Sequence, residues 1–75
     1  MKTETTFVLQ TQREIKNDIS ENSTLIVPDY TDGLVKIFDN NKDNVRIILA
    51  EFDPNEALLV AIALKETAEE MLKNN

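Results

Sequence analysis

The stretch Asp39-Asn40-Asn41-Lys42-Asp43 places oxygen-bearing side chains in the D-x-N-x-D order that opens a calcium loop, where successive ligands converge on one hard cation. The rest of such a loop is missing. Its sixth position is Asn44, where a glycine would make the sharp turn, and its twelfth is Ala50, where a bidentate glutamate would close the shell. Glu51 comes one place late, inside a predicted strand, and a polar hairpin turn accounts for the same residues.

Nucleophilic chemistry fares no better. Ser20 and Ser23 have no histidine in the chain to activate them, and Gly33 is the sole glycine, which rules out a glycine-rich phosphate loop. Fourteen Asp and Glu residues offer many carboxylate pairs. Acid–base catalysis, however, needs two carboxyls in opposed environments inside a cleft, which a domain this small rarely encloses. The residues therefore predict no enzyme, no catalytic or metal-binding group and no cofactor.

Contact chemistry is the better prospect. Asp29-Tyr30-Thr31-Asp32-Gly33 carries two carboxylates beside the only tyrosine, a side chain that supplies both contact area and a hydrogen-bonding tip. Asp29, Tyr30 and Asp32, with Asp39 and Asp43, form the candidate partner surface. The same residues are ordinary turn formers, so a plain loop is the competing reading.

Composition narrows the class. Seventy-five residues, 41% hydrophobic and 29% charged, describe one globular domain over 1–75. A core of this size yields a net of only about 3–5 kcal/mol unless something staples it. With no Cys and no His, disulfides and the common zinc sets are missing, which makes self-association the expected substitute. A net charge of −6 repels a phosphate backbone, so direct nucleic-acid binding is not expected. The apolar run from Ala57 to Leu64 is far shorter than the ~20 residues of a membrane span, and Phe7-Val8-Leu9 is too short for a signal-peptide core. A cytoplasmic protein with no membrane contact is the expectation.

The elements that must position these groups form an α+β pattern: a small antiparallel sheet of three to four strands packed by a C-terminal helix over 54–73. Thr5-Thr6-Phe7-Val8-Leu9-Gln10 reads as a strand, as does Thr24-Leu25-Ile26-Val27, which Pro28 closes. Two β-rich runs, 34–39 and 45–52, flank the Asn/Asp cluster and make a hairpin. If Asp39 opposes Asn44, then Val35, Ile37, Ile48, Ala50 and Phe52 share one face. Thr11-Gln12-Arg13-Glu14 has capping-box form and Ile15 and Ile19 lie four apart, which favours a short helix over 12–19. The alternative extends the first strand to Ile15.

Asp53-Pro54-Asn55-Glu56 opens the long helix with an N-cap, a first-turn proline and an acid at the positive end of the dipole. Ala57, Val60, Ala61, Leu64, Ala68, Met71 and Leu72 fall on one stripe, the expected sheet-facing surface. Leu59, Ile62 and Ala63 project elsewhere, so the first half of the helix is apolar all round. Either the N-terminal segment crosses those three residues or a second copy packs there, and they are the candidate self-association interface.

The reading that demands least of these residues is a small acidic accessory or regulatory protein that binds another protein as a homodimer. Bacteria and their phages carry small acidic α+β proteins of this kind, a fold-level analogy only. One alternative is an inhibitor that imitates nucleic acid, presenting the acids between residues 29 and 56 to a basic cleft, although Lys36, Lys42 and Arg46 dilute that charge. The other is a structural subunit of a larger assembly.

Overall fold

The computed structural model describes residues 4–7, by their backbone alone, and residues 12–74. Five antiparallel strands follow one another in space as they do in sequence: β1 (Glu4–Phe7), β2 (Arg13–Lys16), β3 (Ser23–Asp29), β4 (Leu34–Asn40) and β5 (Arg46–Phe52). One helix, α1 (Pro54–Lys73), completes an α+β fold. This order is a meander, in which each strand pairs with the next in sequence.

The short helix expected over 12–19 is not formed. β2 occupies its first half, pairing Glu14 with Leu25 and Ile15 with Thr24, and a turn occupies the rest. Asn17 explains the difference. Its side-chain oxygen accepts from the Ile19 N–H at 2.8 Å, its own N–H donates to the Asn22 carbonyl at 3.1 Å, and the Ser20 hydroxyl takes the Asn22 N–H at 3.3 Å. Backbone donors that a helix would use are occupied in closing a turn, and Ile19 is 81% exposed with no helical partner. The sheet thereby gains a strand over the three to four expected. Of the first predicted strand, Thr5–Phe7 lies in β1, while Val8–Gln10 and the Thr11 of the capping box fall outside the described residues.

The hairpin of β4 and β5 forms nearly where expected, with Asn40 rather than Asp39 as the last paired residue, opposite Arg46. Asn41 holds the loop by accepting from the N–H groups of Asp43 at 2.9 Å and Val45 at 3.0 Å, and Asn44 adopts φ 62°, a conformation Asn tolerates better than most residues. A bulge then changes the register. Ile37 pairs with Ala50 but Phe38 pairs with Ile48, which leaves Leu49 as the extra residue. Val35, Ile37, Ala50 and Phe52 share a face as expected, whereas Ile48 crosses to the face of Leu25 and Phe38, and Ile47 lines up with Asp39.

Leu25, 1% exposed, is the one hydrophobic residue buried among those described; Gln12, Ser23 and Asn40 are buried polar residues. The core is therefore thin. Lys36 stands in a row with Val27 and Glu51 and donates to Asp29 at 2.7 Å.

Candidate functional site

α1 starts as its sequence dictates. The Asp53 carboxylate accepts from the Glu56 N–H at 2.9 Å, Pro54 takes the first helical position, and the Asn74 N–H closes the far end on the Glu70 carbonyl at 3.2 Å. The packing of this helix departs from expectation. Among the described residues α1 contacts only β4 and β5, and no residue of the helix is buried.

Of the stripe expected to face the sheet, only Ala57 and Val60 are half-buried; Ala61, Leu64, Ala68, Met71 and Leu72 are exposed. The half-buried residues lie in the first two turns, and from Ala61 onward every described residue of the helix is exposed. On the other side Leu59 is 69% and Ile62 55% exposed, and Ala63 is exposed as well. The N-terminal strand is not their cover, since β1 is at the opposite edge of the sheet from β5.

The acidic candidates separate into two groups. Asp29, Tyr30 and Asp32 lie at the β3–β4 turn, whereas Asp39 and Asp43 lie toward the other end of β4, about 20 Å away along a seven-residue strand. At the first end Asp29 accepts from the Thr31 N–H at 3.0 Å and Asp32 from the Leu34 N–H at 3.1 Å, while Gly33 supplies the φ of 75° that the turn requires. The Lys36 ammonium sits 2.7 Å from Asp29, 2.9 Å from Asp32 and 3.8 Å from Glu51. Its hydrogen bond to Asp29, helped by the Thr31 N–H, holds the Asp29 carboxyl below the usual range, and the same pairing pushes Lys36 above the ordinary lysine value.

These carboxylates are engaged in building the turn. Tyr30 is not, and stands 80% exposed. Beside it Pro28, Leu34, Val35 and Pro54 line an apolar hollow of about 110 Å³ with Asp29 and Gly33 at its rim. Periodicity had no means of joining Pro54 to this turn. At the second end Asp39 accepts from the Asn22 side-chain amide at 3.1 Å, and Asp43 is exposed on its loop next to the Lys42–Glu21 ion pair of 3.6 Å.

No group of three or more metal-ligating side chains occurs among the described residues. No described helix is long and apolar enough to cross a membrane. Comparison with family models, with curated proteins and with solved structures finds no match for the chain.

Proposed function

We propose that this is a non-catalytic accessory protein that works as a homodimer and binds another protein. The observation that carries the reading is the C-terminal helix: twenty residues with none buried, carrying Leu58, Leu59, Ile62, Leu64, Met71 and Leu72 in the open. Exposed apolar side chains in this number are a cost to a monomer and a driving force for association.

Tyr30 and the hollow next to it supply the surface for the second protein. An aromatic anchor next to a recess the size of one aliphatic side chain suits a peptide segment that presents a single apolar residue. Nucleic-acid mimicry has no such support, because the acids are divided between two ends of the sheet and Lys36 offsets part of the charge of the first group.

Light scattering coupled to size exclusion tests the first half: twice the chain mass of 8.5 kDa is expected at micromolar concentration, and a monomer sinks the reading. A mass that keeps rising with concentration favours an assembly subunit instead. For the second half, a protein captured from a host lysate by the wild type should be lost with Tyr30→Ala. Equal capture by both removes the turn from the binding surface.

A further inference from the structure

Given the dimer reading, on which this inference rests, we infer that the copies pair through antiparallel α1 helices along the seam Ala61, Leu64, Ala68 and Met71. These residues recur at intervals of three, four and three, the spacing that keeps one line of side chains facing a partner helix. Every one of them is exposed.

Three arguments select a second copy as the occupant. The first is charge. The positions flanking the seam are Leu58, Val60, Lys65, Thr67, Leu72 and Asn74, while Glu56, Glu66, Glu69 and Glu70 all fall on the outer side. A chain of net charge −6 can therefore meet itself here with no carboxylate facing a carboxylate across the contact. The one like-charged meeting is of the two Lys65 ammonium groups near the midpoint, each of which has Glu69 one turn further along its own helix.

The second is shape, which also sets the direction. Antiparallel pairing places Ala61 opposite Met71 of the second copy and Leu64 opposite its Ala68, so each long side chain meets a methyl group and the helices keep one separation throughout. Parallel pairing would stack Ala on Ala and Leu on Leu, opening gaps in one layer and crowding the next. The third is the sheet. Ala57 and Val60 already lie against the body of the domain, so parallel copies would bring two sheets to the same end of the pair. Antiparallel copies hold them at opposite ends, each sheet facing only the last turn of the other helix. Leu59, Ile62 and Ala63 lie outside this contact, which moves self-association away from the three residues whose position in the sequence suggested it.

The absence of native cysteine makes a direct test simple. Ala61→Cys and Met71→Cys are oxidised singly and as a mixture, after the mass of each sample is measured by light scattering. The mixture should yield a cross-linked pair containing one of each variant, and neither variant alone should link, because a disulfide needs Cα atoms within about 7 Å. Self-linking of Ala61→Cys overturns the inference in favour of parallel helices. Dimeric samples without the mixed link overturn the seam but keep the dimer, and monomeric samples overturn both. Ala68→Leu provides a second readout: it should weaken dimerisation at least tenfold by crowding Leu64 of the other copy, whereas tighter association would show general stickiness and overturn the seam.

Discussion

Lys36 shows how a residue that looks incidental in the chain organises its surroundings. It sits mid-strand and would be read as a polar interruption of an apolar run, yet it gathers Asp29, Asp32 and Glu51 and so fixes the β3–β4 turn. A carboxyl with a lowered folded pKa stabilises the fold above its unfolded value, near 3.8 for Asp29, and that contribution is lost as pH falls through the lowered value. In Lys36→Met the Asp29 midpoint should rise toward the ordinary value, and the acid unfolding transition should move to higher pH. Carboxyl NMR titration checks the midpoint, and an unchanged one would assign the effect to the Thr31 N–H alone. Leu25 is the other decisive residue. It is the one buried apolar side chain among those described, so Leu25→Ala should cost about 2–5 kcal/mol, as much as a domain of this size has to lose. Urea denaturation should find the variant largely unfolded without denaturant.

At the scale of elements, the helix and the β4–β5 hairpin were legible because their signals are local. Asp53, Pro54 and Glu56 announce a helix start whatever lies around them, and α1 runs over 54–73 as expected. Asp53→Ala should cost about 1 kcal/mol through loss of the cap, visible as a lower melting temperature by circular dichroism at 222 nm. Failure to shift would mean that Pro54 alone sets the helix start. Segment 12–19, by contrast, carries real helical signals that lose to a competing pairing. Ile15 can serve either a helix face or a strand, and the choice is made by β3 offering a ladder on one side and Asn17 closing a turn on the other. The bulge at Leu49 is hidden for a related reason. Both β5 faces are apolar, so alternation gives no warning that Ile47 and Ile48 exchange sides.

On the scale of the whole molecule, the main feature is a long helix that its own sheet leaves largely uncovered. Among the described residues α1 contacts only β4 and β5, and from Ala61 onward its apolar stripe is exposed. Leu64→Asp places a charge in the middle of the proposed seam and should convert a dimer to a monomer, with a rise in dissociation constant of about a hundredfold or more. Leu59→Asp, on the outer side, should leave the mass unchanged. Sedimentation velocity on the pair separates the two faces, and the reverse outcome would return self-association to Leu59, Ile62 and Ala63.

The acidic residues bring out the same division between local and long-range information. Asp29, Tyr30, Asp32, Asp39 and Asp43 group together because they are close in sequence, and a seven-residue strand then carries them to opposite ends of the sheet. What the amino-acid sequence by itself determined was what short-range physics controls: the α+β class, the capped C-terminal helix, the turn-forming stretches and the apolar girdle of Ala57 to Leu64. Tertiary structure decided which apolar surface is covered. Hydrophobic periodicity says that a face must be buried and is silent about what buries it. Whether a strip of Ala, Leu and Met lies on its own sheet or stays open to a second chain depends on which elements reach it, and among the described residues only β4 and β5 do.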